Sequence, residues 1–145
     1  MTRFLLDLNS AIDLVKYSLK SNISGCTYVK KAPSAYVVDI AKSLYELQGL
    51  KKKSFDYIGI RPGEKINETL ISYEESKLLK EYKNFYIIYN NLSTERYLNF
   101  FRRGSNFKMF SYSSEMLKNI ITGKKLFNLL SNTINKWLIL KIKIF

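Results

Sequence analysis

Ile58-Gly-Ile-Arg-Pro-Gly-Glu-Lys65 carries most of what this sequence says about its fold. The β-prone run Phe55 to Ile60 leads into it and predicts a buried strand. Pro62-Gly63 then signals a tight turn: Pro62 fixes φ, and Gly63 permits a close backbone approach. The turn sets Arg61 and Glu64 three residues apart. Arginine offers a planar fork suited to a phosphate, and glutamate can accept two hydroxyls of a ribose. The same two residues also fit an exposed ion pair on a surface turn, and chemistry alone leaves both readings open.

Upstream of this turn, residues 3–6 read as a strand end. Ala11, Ile12, Leu14, Val15 and Leu19 recur near helical spacing, predicting a helix over about 9–20 with Asp7 or Asn9 as N-cap. Cys26 to Lys30 reads as a strand. Pro33-Ser34 breaks it and caps a second helix, which runs to about Gln48 and ends at Gly49. The order strand–helix–strand–helix–strand over 1–60 is an α/β pattern. Downstream, Thr69 to Ser72 predicts a short strand, Tyr73 to Lys83 a charged helix, and Phe85 to Tyr89 a strand. After Asn90 the chain turns polar and aromatic. Residues 115–136 could form a basic amphipathic helix, and Leu140 to Phe145 alternates like an edge strand.

The chain has 145 residues, enough for one domain or one lobe, and should bury about 70% of its unfolded surface. The absence of histidine excludes histidine-based acid/base catalysis and histidine metal sites. A single cysteine, Cys26, excludes an internal disulfide and a thiolate-rich zinc site, and suits a reducing cytoplasm. Met1 to Asp7 holds too short an apolar run for a signal peptide, and no stretch reaches the ~18 apolar residues of a membrane span. The net charge is +12, and half of that excess falls in residues 116–145, which contain no acidic residue. Such a balance invites a nucleic-acid or anionic-membrane partner, and Phe100 to Phe110 interleaves aromatic and basic residues as a stacking platform does. A lysine-rich solvated surface explains the same charge.

Met1-Thr-Arg-Phe-Leu, Tyr28-Val-Lys-Lys-Ala-Pro-Ser-Ala and Ile58-Gly-Ile-Arg-Pro-Gly-Glu-Lys-Ile-Asn-Glu-Thr-Leu occur in that order. Together they resemble the C-terminal third of the UDP-N-acetylglucosamine 4,6-dehydratase family. These are extended short-chain dehydrogenase/reductases of nucleotide-sugar biosynthesis. The resemblance covers about 1–89, is faint at Phe110-Ser-Tyr-Ser-Ser-Glu115, and stops at Met116. It implies that Arg3 and Arg61 flank the substrate diphosphate and that Glu64 holds the ribose. It implies an α/β fold: the C-terminal substrate-binding lobe of such an enzyme, lacking the Rossmann cofactor domain. Residues 1–90 would be the nucleotide-sugar-binding lobe, 91–115 an irregular segment, and 116–145 a divergent basic tail of helical character.

A complete enzyme of this family would oxidise the sugar at C4 with NAD(P), eliminate water across C5–C6, and return the hydride. The phosphate-binding loop of a Rossmann fold needs closely spaced glycines, whereas these stand at 25, 49, 59, 63, 104 and 123. The family's Tyr-x-x-x-Lys pair lies upstream of the Thr-Arg-Phe element. The one such spacing here, Tyr73 and Lys77, reads as a solvated helix face. The expectation is therefore a truncated or split enzyme, cytoplasmic and inactive alone. It would bind a UDP-sugar, no cofactor and no metal, and would need a separate N-terminal Rossmann-domain chain for activity. The rival expectation is a small basic protein that binds nucleic acid or an anionic membrane surface.

Overall fold

A computed structural model describes residues 1–21, 24–50, 54–90 and 109–142. The chain divides into two compact units, which it enters alternately. One comprises Met1–Leu5, Pro33–Glu68 and Ser114–Phe145, and the other Leu6–Ala32 and Thr69–Ser113.

In the first unit, β1 (Thr2–Phe4) pairs antiparallel with β3 (Ser34–Tyr36), placing Arg3 opposite Ala35. Helix α2 (Val37–Leu47) follows β3 without a break, and packs against α3 (Gly123–Ile142), whose Leu126 is fully buried. Ser34 is a strand residue rather than the expected cap. Tyr36 holds the N-cap position with no side-chain bond. The Val37 N–H donates instead to the Met1 carbonyl at 3.2 Å, so β1 takes the place of a cap. At the other end Gly49 takes φ +69°, and Leu50 N–H reaches back to the Tyr45 carbonyl at 3.0 Å. That is the left-handed stop the sequence predicts.

In the second unit, the Asp7 carboxylate accepts the Ser10 N–H at 3.0 Å and opens α1 (Leu8–Lys20). Strands β2 (Cys26–Lys30), β6 (Phe85–Tyr89) and β5 (Leu79–Glu81) form an antiparallel sheet with β6 in the middle. Tyr86, Ile87 and Ile88 are consecutive and all buried, so β6 is covered on both faces. Strand β4 (Thr69–Ile71) pairs antiparallel with β7 (Tyr112–Ser113). The buried Tyr112 hydroxyl accepts the Ala32 N–H at 2.9 Å and donates to the Ala32 carbonyl at 3.1 Å.

The α/β expectation thus holds as a mixed helix-and-sheet fold; among the described residues the named strands all pair antiparallel, and Ser34 and Ile120 form one isolated parallel bridge. Three expectations fail. Phe55 to Ile60 joins no strand pair among the described residues, and Tyr57, Ile58 and Ile60 are 83%, 72% and 63% exposed. Tyr73 to Lys83 is not a helix: a 3-10 turn at Glu75–Leu78 leads into β5, because Leu79 is buried beside β6. Tyr73 and Lys77 remain exposed, as a solvated pair should. The C-terminal helix begins at Gly123, after a 3-10 turn at Leu117–Asn119, and runs through residues 140–142. It displaces that part of the expected edge strand. Residues 143–145, Lys51 to Lys53, and 91–108 with most of the aromatic–basic run lie outside the described residues.

Candidate functional site

The Arg61 carbonyl accepts the Glu64 N–H at 3.0 Å, closing a four-residue turn. Pro62 sits at its second position and Gly63 at its third with φ +80°, the pattern of a type II turn. A Cβ on Gly63 would meet nothing within 4 Å, so glycine is required by the backbone angle and not by space. The Arg61 N–H donates to Glu64 Oε2 at 3.1 Å. This bond orients the carboxylate and leaves its other oxygen open. The Arg61 guanidinium makes no hydrogen bond or ion pair among the described residues, and both side chains are exposed. One short turn therefore presents a free planar cation and a half-engaged carboxylate.

Arg3 belongs to the same unit and meets this segment just past the turn. Its Nη2 donates to the Lys65 carbonyl at 2.8 Å, and its Nη1 to the Thr2 and Ile66 carbonyls at 2.7 and 3.3 Å. Its Nε lies 3.7 Å from Glu68 Oε1. Glu68 Oε2 in turn accepts the Phe4 N–H at 2.9 Å. Of the three residues singled out in the sequence, Arg61 and Glu64 share the turn, and Arg3 contacts the residues that follow it. Arg3 faces carbonyl oxygens, and Arg61 is free.

Asn67, Glu68 and Ser114 have no role in the sequence reading, and these build the support of the turn. Thr2 is 2% exposed and Ser114 fully buried. The Thr2 hydroxyl bonds Asn67 Oδ1 at 2.9 Å and shares a 2.7 Å hydrogen bond with the Ser114 hydroxyl. Ser114 Oγ accepts the Glu68 N–H at 2.9 Å, and Ser114 N–H donates to the Glu68 carbonyl at 2.8 Å. Asn67 Nδ2 donates to Glu115. The one available signal is the company they keep: Asn67 and Glu68 follow the Arg-Pro-Gly-Glu-Lys run directly, and Ser114-Glu115 closes the faint late motif.

Among the described residues, neither strand-to-helix junction offers the glycine cradle that a dinucleotide cofactor uses on a Rossmann fold. A pyrophosphate on a Rossmann fold sits where glycines let a strand turn into a helix N-terminus. The junction from β1 to α1 runs through Leu5, Leu6 and Asp7, and that from β3 to α2 through Tyr36, with glycine at neither.

Comparison with known proteins gives one family and a consistent set of relatives. The family model described as "Polysaccharide biosynthesis protein" matches residues 1–90. The UDP-glucose 4-epimerases of Rickettsia akari (strain Hartford) and Rickettsia felis (strain ATCC VR-1525 / URRWXCal2) are each 38% identical to it over 88 residues. Those residues are 61% of this chain and 26% of each relative, so the chain spans about a quarter of the length of the curated relatives it matches. The X-ray structure of Pen from Bacillus thuringiensis is similar over 91% of this chain and 37% of its own, with a TM-score of 0.74 and 28% identity. That coverage is more than residues 1–115 can supply. The structural likeness therefore reaches past Met116, where the sequence motifs stop.

Proposed function

The chain belongs to the polysaccharide biosynthesis protein family, and from that premise we propose that it is the nucleotide-sugar-binding part of a UDP-sugar-modifying enzyme. The enzyme would be of the extended short-chain dehydrogenase/reductase type. The observation that carries this reading is the Arg61–Glu64 turn, with its unpaired guanidinium and its oriented, half-engaged carboxylate. A UDP-sugar offers a diphosphate with two negative charges and, one group away, the two hydroxyls of a ribose. Each charged hydrogen bond so formed contributes about 1.5–3 kcal/mol. Arg3 adds positive charge at the base of the same segment.

The finer reading is the UDP-N-acetylglucosamine 4,6-dehydratase type, on the strength of the three ordered motifs. A second reading, a 4-epimerase of UDP-glucose, draws on the names of the Rickettsia relatives. The two part company only after the sugar has been oxidised, and neither reaction has its catalytic centre in this chain. NAD(P) would be held by a separate Rossmann domain, so the chain alone would be inactive, and the complete assembly would work in the cytoplasm. Among the described residues no helix is long and apolar enough to cross a membrane. The nucleic-acid or membrane-surface alternative keeps the net charge of +12 as its support.

Calorimetric titration with UDP, UDP-N-acetylglucosamine and UDP-glucose tests the proposal, with Arg61→Ala as control. The expected result is saturable UDP binding that the substitution abolishes and that added salt weakens only mildly. Binding of polynucleotide or anionic vesicles that falls steeply with salt, with no response to UDP, would move the assignment to the basic-surface protein.

A further inference from the structure

We propose that Glu68 is a positioning residue of this site: its carboxylate fixes the Arg3 guanidinium, so that the one Arg3 N–H without a partner is held ready for the diphosphate. The inference rests on the nucleotide reading of the turn, and adds to it a residue that touches no ligand itself.

A count of donors leaves that N–H over. A guanidinium has five N–H donors and no acceptor. In Arg3, Nη1 serves the Thr2 and Ile66 carbonyls, Nη2 serves the Lys65 carbonyl, and Nε faces Glu68 Oε1 at 3.7 Å. One Nη2 proton remains. The carbonyls are neutral, so Glu68 is the one charged partner of Arg3 among the described residues.

Glu68 is itself held firmly. Its Oε2 accepts the Phe4 N–H at 2.9 Å, which ties the carboxylate to the strand residue after Arg3. Its backbone N–H donates to Ser114 Oγ at 2.9 Å, and its carbonyl accepts the Ser114 N–H at 2.8 Å. Ser114 is fully buried, so these bonds fasten Glu68 to the interior of the unit. The ion pair adds little to stability, because the Arg3 and Glu68 side chains are 26% and 40% exposed. Its consequence is orientation. A long side chain that is ordered only on binding weakens the complex by the freedom it loses, and one already held loses less. Arg61, with no partner, must be ordered by the ligand. A diphosphate thus meets one arginine set in advance.

Glu68→Gln in the full chain tests this. Glutamine still accepts the Phe4 N–H and removes the charge facing Arg3. By charge alone, loss of a carboxylate near a bound diphosphate strengthens binding, whereas loss of the brace weakens it. Calorimetric titration should show UDP affinity about tenfold weaker, the equivalent of one charged hydrogen bond, with uridine affinity and melting temperature unchanged. Added to Arg3→Gln, which removes the guanidinium, Glu68→Gln should cause no further loss, since it acts through Arg3. A UDP affinity that stays or rises overturns the proposal. An equal fall for UDP and uridine also overturns it, and would make Glu68 a support of the whole turn. Should the wild type bind neither compound, the nucleotide reading fails and the positioning role falls with it. If Glu68→Gln does not fold, Glu68→Asp is read in the same way: it keeps the charge but draws it back by one methylene, so UDP alone should weaken, and unchanged UDP binding overturns the proposal.

Discussion

At the scale of single residues, Glu64 has two tasks that substitution can separate. One carboxylate oxygen caps the Arg61 N–H, and the other is open to a ligand. Glutamine can still accept that N–H, but it lacks the charge that makes a ribose hydrogen bond strong. Glu64→Gln should leave thermal stability unchanged and weaken uridine binding about tenfold or more, the equivalent of one charged hydrogen bond. Equal uridine affinity in the variant and the wild type would remove Glu64 from the site. Ser114 is a contrasting case, with no open side. Its hydroxyl is shared among Thr2 Oγ1, the Glu68 N–H and, at 3.3 Å, the Thr2 carbonyl. Ser114→Ala removes the acceptor of the part-buried Glu68 N–H and should cost about 1–3 kcal/mol in urea unfolding. A loss below about half a kilocalorie would show that water replaces the hydroxyl.

At the scale of elements, what the sequence shows and what it hides both have physical causes. Strand β2, strand β6 and helix α1 are legible because local pattern and tertiary burial agree there. β6 is apolar on both faces and sits mid-sheet, and Asp7 caps α1 as an N-terminal aspartate should. Tyr73 to Lys83 reads as a helix because alternating Glu and Lys look like helix-face pairs. The buried Leu79 and the edge of β6 that β5 fills outweigh that pattern. The turn residues of the site are legible for their chemistry. Their supports are not, because hydrogen bonds across 46 and 112 positions of sequence leave no local signature. The run Phe55 to Ile60 is the sharpest difference: its residues have strand character, and no partner strand is present among those described. Such a naked apolar segment is a template for self-association. Ile58→Lys should therefore lower the concentration-dependent light scattering of the purified chain. It should leave the melting temperature unchanged, since Ile58 is 72% exposed and little burial is lost. Scattering that persists would place the sticky surface elsewhere, with the exposed Leu8, Ile12, Val15 and Leu19 of α1 as the next candidate.

At the scale of the whole molecule, the two units differ in how they should meet alkali. Tyr86, Tyr89 and Tyr112 all lie in the unit formed by Leu6–Ala32 and Thr69–Ser113. Burial is the main cause that raises each hydroxyl, to about 12 for Tyr86 and for Tyr89. The negative charge of Glu81 adds to the effect at Tyr86, and the nearby Tyr82 adds to it at Tyr89. At Tyr112 the Ala32 N–H pulls the other way, but burial prevails. Unfolded tyrosine ionises near 10. Above that pH the unfolded chain has released protons that the folded unit still holds, so unfolding is drawn forward as pH rises. The stabilisation is full below pH 10 and is lost as pH climbs toward 12. The other unit contains Tyr36, Tyr45 and Tyr57, none of them buried. Tyrosinate absorbance should therefore show a second, late phase nearer pH 12, carried by Tyr86 and Tyr89. Loss of the β-sheet circular dichroism should coincide with the second phase, while the helical signal, to which α2 and α3 of the other unit contribute, falls less. Tyr86→Phe removes one late proton and should shift the second phase to higher pH, provided the ring packing against Tyr112, 5.3 Å between centroids, is kept. One absorbance transition near pH 10 with the dichroism intact would mean that the three hydroxyls reach solvent without unfolding, and that the sheet does not depend on their protonation.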